Sequence, residues 1–188
     1  MRDVRSTGSR LRDDETITIW TIGHSTRPID DFIGLLRYNE IETIADVRRF
    51  PGSRRYPQFN QDALRKSLGD DGIDYLCLPA LGGRRRPAAD SPNTTWRNEA
   101  FRGYADHIAT EEFASGLFEL LDVAYGSRTS IMCSEAVWWR CHRSMIADVL
   151  SSIGIRVLHI MDAGKTTVHS YTAPARIVDG ELTYTSLG

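Results

Sequence analysis

The stretch 129–150, TSIMCSEAVWWRCHRSMIADVL, gathers the side chains best able to do chemistry. It holds two thiols (Cys133, Cys141), an imidazole (His142), a carboxylate (Glu135) and the guanidinium of Arg143. It opens with the apolar Ile131 and Met132 and closes with Met145, Ile146, Val149 and Leu150 at helical spacing. That pattern reads as strand, loop, helix, with the reactive residues at the handover. An open helix N-terminus attracts anions and favours thiolate, so nucleophilic or acid–base chemistry would be well placed there.

Several chemistries compete. A thiol ending a strand is where phosphatases and rhodaneses keep their nucleophile. Those loops carry an arginine six residues later and usually glycine. Here position 139 is Trp139, Arg140 comes one later and the loop has no glycine, which argues against a loop of that type. Cys133 also fits a plainer part, a small apolar residue closing a buried strand. Cys133, Cys141 and His142, joined by His24, are metal-ligating types, but the tight Cys-x2-Cys pairs of closed zinc sites are absent. Glu135 suits either a general acid–base or a salt bridge.

These residues need a scaffold. β-Branched and apolar runs at 16–22, 41–47, 73–78, 129–133 and 156–160 read as five strands. Helical periodicity falls between them, with Phe32, Ile33, Leu35 and Leu36 forming one buried face and Ser25 or Thr26 expected as its cap. A second helix spans about 60–68 with Gly69 as its stop, and two more cover 99–109 and 111–124, with Thr110 between them as a cap. The segment 87–98 shows no period and reads as a long surface loop. Asp179-Gly180 marks a hairpin near the end. The expected fold class is therefore α/β: a mostly parallel five-stranded sheet flanked by helices on both faces, with a C-terminal β-hairpin. Residues 1–14 read as a mobile tail and 15–188 as one domain.

In such sheets ligands bind beyond the carboxyl ends of the strands. The segments after the first four strands are Gly23-His24-Ser25, Asp46-Val47-Arg48, Leu81-Gly82-Gly83-Arg84 and Cys133-Ser134-Glu135. They should meet on one rim. Arginine clusters sit on the same loops, at Arg48, Arg49, Arg54 and Arg55 and at Arg84, Arg85 and Arg86, with Tyr56, Phe59, Trp96, Trp138 and Trp139 nearby. Only Lys66 and Lys165 are lysines, so 21 of the 23 cations are arginines. Planar donors among aromatics suit phosphates and stacked bases. Composition bias and surface ion pairing with the 25 acidic residues account for the same arginines without a ligand.

The net charge of −2 excludes a strongly basic protein. No apolar run approaches a membrane span, and Met1-Arg2-Asp3 starts no signal peptide, so no membrane partner is expected. Three cysteines, an odd number, read as thiols of a cytoplasmic chain. His107, His159 and His169 stand alone in the sequence and take no role.

The chain resembles the DUF488 family of prokaryotic proteins, from about 18 to 162. The resemblance rests on TIGHSTR (21–27), ADVRRFPGSRRYPQFN (45–60), LPALGGRRRP (78–87), WRNEAFRGYADHI (96–108) and CSEAVWWRCHRSMIAD (133–148). It supplies no reaction. Labels linking some members to DNA repair imply nucleic acid as a partner. The family's characteristic residues fall on His24, Ser25, Asp46, Arg48, Pro51, Cys133, Glu135, Cys141, His142 and Arg143, largely the set the strand-end argument brings together.

The leading expectation is a rim site that binds a phosphorylated ligand, nucleotide or nucleic acid. Cys133, Glu135 and His142 would act on it, and His24, Ser25, Asp46, Arg48, Arg54, Arg84, Cys141 and Arg143 would hold it. A nucleic-acid-binding module without turnover and a metal-dependent enzyme using the Cys and His residues are the alternatives. The cofactor, any metal and the oligomeric state stay open.

Overall fold

The structure is a computed structural model, and it describes residues 17–186. The tail expected at 1–14 lies outside them. Its main sheet contains β1 (Thr18–Gly23), β2 (Thr43–Asp46), β3 (Asp74–Cys77), β4 (Thr129–Cys133), β5 (Arg156–Asp162) and β6 (Lys165–Val168). Their order is β3-β2-β4-β1-β5-β6. The first five run parallel, as strands alternating with helices must.

The sixth, β6, returns antiparallel along β5 at the edge. Sequence reading stops at five because all four residues of β6 are exposed, leaving no burial period to detect. β7 (Arg176–Val178) and β8 (Glu181–Thr183) form the expected hairpin. Asp179 and Gly180 both turn it with positive φ, 51° and 85°, the geometry that Asp-Gly tolerates.

Strand side chains alternate between two cores. Ile22, Ile44 and Met132 pack with Phe32 and Leu36 of α1 (Ile29–Tyr38) and with Leu64 and Leu68 of α2 (Gln61–Asp70). Ile19, Ala45, Ile131 and Cys133 face the other way. There they meet α3 (Glu99–Ile108), α4 (Glu111–Gly126) and α5 (Arg143–Ser152). Helices thus cover both faces. Among the described residues, no helix is long and apolar enough to cross a membrane.

Helix ends differ in two places from expectation. Pro28, not Ser25 or Thr26, occupies the N-cap of α1, with no side-chain cap. Ser25 instead gives its N–H to the carbonyl of Ser134, which ties it to the rim and leaves it at φ 50°. Helix α2 runs past Gly69 to Asp70, and Gly72, at φ 72°, turns the chain out. Thr110 does cap α4, accepting from the Phe113 N–H.

The strand order positions the site. β1 and β4 are neighbours, paired Gly23 to Cys133 at their carboxyl ends. From β1 the chain leaves for α1 on one face, and from β4 it leaves for α5 on the other. The two exits diverge and open a crevice between them, the switch point where open α/β sheets bind ligands.

Candidate functional site

The loops after β1, β2, β3 and β4 all converge on that crevice. The His24 N–H donates to the Cys133 carbonyl (3.0 Å) and the Ser25 N–H to that of Ser134 (2.9 Å), so the loops after β1 and β4 continue the ladder past the sheet. At Gly23 a side chain is impossible, because a Cβ would lie 1.8 Å from the Glu135 carbonyl oxygen. The loop after β2 arrives through Arg48, whose guanidinium grips Asp46 (Nε to Oδ1 2.9 Å, Nη2 to Oδ2 2.6 Å) and donates to the Phe59 carbonyl (2.8 Å). Asp46 also accepts from the Tyr75 hydroxyl at 2.6 Å.

His24 lies flat on Phe59, ring centroids 4.1 Å apart. Its Nδ1–H donates to the Ser25 carbonyl (3.0 Å) and its Nε2 accepts from Arg48 (3.3 Å). Burial, and then the charge of Arg48, lowers its pKa to about 4, so the ring is neutral.

The thiols and imidazole of the 133–142 stretch meet behind this rim. The Sγ atoms of Cys133 and Cys141 lie 3.9 and 3.7 Å from Nδ1 of His142. The His142 Nε2–H donates to the Val47 carbonyl (3.1 Å), which leaves the Nδ1 lone pair facing the sulfurs. Gly83 makes room for that ring: a Cβ there would stand 2.7 Å from Nδ1.

Both thiols are buried, at 4% and 3% exposure. They titrate in opposite directions. A hydrogen bond from the Cys141 thiol holds Cys133 well below the usual thiol range against the opposing effect of burial. Burial, then its bond to Cys133, pushes Cys141 up.

A cleft of about 710 Å3 opens above this cluster. Its lining includes His24, Ser25, Arg48, Arg84, Cys133, Glu135, Cys141 and His142 from the expected set. Arg54, Asp46 and Arg143 are not part of it. Arg54 is exposed, whereas Asp46 is fully buried beneath Arg48. Arg143 is 1% exposed and donates to the carbonyls of Glu135 and Ala136, the latter at 2.8 Å. Its charge holds the loop above α5.

Two cleft arginines that sequence reading did not single out are Arg49, read only as part of a cluster, and Arg140. Both are exposed and line the cleft beside Arg84. The signal available was position alone, since both follow a strand end by a few residues.

A second polar cluster escaped sequence reading altogether. The Thr21 hydroxyl meets His159 Nδ1 (2.7 Å), His159 Nε2 meets His169 Nδ1 (3.0 Å), and His169 Nε2 meets Asp148 (2.9 Å). Asp148 also accepts from the hydroxyls of Thr172 (2.6 Å) and Tyr184 (2.8 Å). Trp138, in the one-turn 3-10 segment Trp138–Arg140, stacks on His159 with centroids 4.1 Å apart. The loop that carries Arg140 and Cys141 therefore rests on this network.

A family model described as "Domain of unknown function DUF488" matches residues 28–150. The match covers the loops after β2, β3 and β4 and stops short of His24 and Ser25. No curated protein and no solved structure matches the chain.

Proposed function

Because the chain belongs to the DUF488 family, whose description names no reaction, we propose a function from the cleft itself. It binds a phosphorylated ligand, nucleotide or nucleic acid, and acts on it at Cys133, Glu135 and His142. One observation carries this reading. Four guanidinium groups line the cleft (Arg48, Arg49, Arg84, Arg140) against the single carboxylate of Glu135. Arg48 is already paired with Asp46. Arg49, Arg84 and Arg140 have no carboxylate partner among the described residues and remain available to an anion.

Aromatic faces stand at the same mouth. Phe50, Tyr56 and Phe101 line it, with Arg49 over the Phe50 ring at 5.6 Å and Arg55 over Tyr56 at 5.4 Å. Rings beside cations suit the stacked bases of a nucleotide or a single strand. At the floor, Cys133 and His142 meet the ligand, and Glu135 is the exposed carboxylate able to exchange a proton with it.

Binding of a nucleoside monophosphate and of a short fluorescent single strand, each measured at two salt concentrations, tests the proposal. Charge-assisted hydrogen bonds contribute roughly 1.5–3 kcal/mol each, so Arg84→Ala or Arg140→Ala should weaken binding about tenfold or more. Affinity should also fall with salt. Wild-type protein that binds neither probe would overturn it. Binding without turnover, left unchanged by Cys133→Ser, would favour a non-catalytic module.

A further inference from the structure

We propose that Cys133, Cys141 and His142 form a binding site for a thiophilic divalent cation, zinc foremost, with its open coordination position facing the cleft. Sequence spacing argued against zinc because no tight Cys-x2-Cys pair exists. The fold supplies the proximity another way, placing a strand end against a helix start. The three ligand atoms lie within 4.8 Å of one another.

The distances fit a metal. Zinc bonds of about 2.3 Å to sulfur and about 2.0–2.1 Å to nitrogen, in a tetrahedron, set a sulfur–nitrogen edge near 3.6 Å. The two sulfur–nitrogen edges are 3.7 and 3.9 Å, and the two sulfurs lie within 4.8 Å of each other, so closing on a tetrahedral ion takes movements of at most about 1 Å. The imidazole is already in the required tautomer. Its Nε2–H is held by the Val47 carbonyl, the outer-shell contact that metal-bound histidines usually make, and Nδ1 points at the sulfurs.

Each ligand is fixed by regular structure. Cys133 is held by strand pairing to Gly23, and Cys141 and His142 by the start of α5. Two thiolates neutralise a divalent ion, which makes a metal a natural occupant for a pair of buried thiols.

Among the described residues, this cluster offers three ligands. Structural zinc sites have four protein ligands, and catalytic ones keep three and an open place. All three line the cleft, so that place is reached from the side where Arg49, Arg84 and Arg140 stand. There the cation would polarise an oxygen of the bound anion. The inference deepens the reading above and rests on it only for what fills the open position.

Cobalt(II) titration of chelator-treated protein tests the site without any activity. Saturable binding of one equivalent should bring up thiolate-to-cobalt charge-transfer bands and tetrahedral visible bands, and zinc should bleach both. Cys133→Ser and Cys141→Ser should lose the bands or bind at least about tenfold more weakly, while Cys77→Ser should match wild type. Circular dichroism on each variant separates lost ligands from lost folding.

No saturable cobalt binding in the wild-type protein would overturn the proposal. So would unchanged bands in both serine variants. Arg84→Ala and Arg140→Ala should take cobalt normally. A protein that takes cobalt but binds no phosphate would sink the anion reading alone, and the reverse would sink the metal alone.

Discussion

Gly23 and the carbonyl of Glu135 occupy the same small volume at the end of β1, with 1.8 Å between that oxygen and the place a Cβ would take. The obstacle is backbone, held by the Arg143 guanidinium, which donates to that oxygen and would itself stand 2.8 Å from the added Cβ. No side-chain rotation relieves such a clash. Gly23→Ala should therefore push the 134–136 loop off the rim. Overpacking of this kind costs about 1–3 kcal/mol. Thermal melting should show the loss, and cobalt and phosphate titrations should both weaken. A variant with wild-type stability and binding would mean the loop sits elsewhere in solution.

Arginines at the site divide by burial. Arg143 begins α5, where a cation opposes the helix dipole, so its place is justified by the carbonyls it satisfies. Arg143→Ala should lower stability by about 3 kcal/mol, since the loop carbonyls lose a buried charged donor. Arg140 is exposed. Arg140→Ala should leave the melting temperature nearly unchanged and reduce phosphate affinity. Urea denaturation of both variants beside the binding assay distinguishes a brace from a ligand contact. Equal destabilisation would erase the distinction.

Stability should fall in acid partly through His159. Burial, then His169 and Arg143, lowers its pKa to about 3. Facing it are the Thr21 hydroxyl, the Trp138 ring and His169, with Asp148 behind His169. An unfolded histidine titrates near 6.5. Between about pH 3 and 6.5 the unfolded chain binds the extra proton, so stability rises with pH through that window and is lost as pH falls. The contribution approaches roughly 1.4 kcal/mol per pH unit at its steepest. Denaturation of wild type and His159→Gln at a series of pH values should show a shallower acid slope in the variant. Parallel slopes would count against a neutral buried His159.

Thiol accessibility gives a further check on the metal. Cys133 and Cys141 open to the cleft through the face a cation would occupy, whereas Cys77 ends β3, half-buried near Gln61. Zinc should slow alkylation of Cys133 and Cys141 in native protein and leave Cys77 unaffected. Peptide mapping after a short iodoacetamide pulse, with and without zinc, reports all three. Identical labelling in both conditions would leave the metal without support.

The sequence by itself determined the alternation of strands and helices, the parallel sheet, the hairpin at Asp179-Gly180 and the meeting of His24, Arg48, Arg84 and Cys133 at one rim. These follow from local periods of burial and from the rule that parallel strands end on the same edge. Tertiary structure decided which arginines stay available. Arg48 and Arg143 look no different from Arg84 and Arg140 in sequence, yet the first pair is buried against Asp46 and loop carbonyls.

It also turned His159 and His169 into a buried chain to Asp148, linking residues 138 positions apart at Thr21 and His159. And it brought Cys133 beside Cys141 and His142, despite spacing unlike that of the familiar zinc pairs. The physical reason is common to all three. Local backbone preference and burial period act over a few residues and are written in the order of side chains. A polar group's partner is whichever atom the packed chain delivers within about 3 Å, and only the finished fold sets that distance.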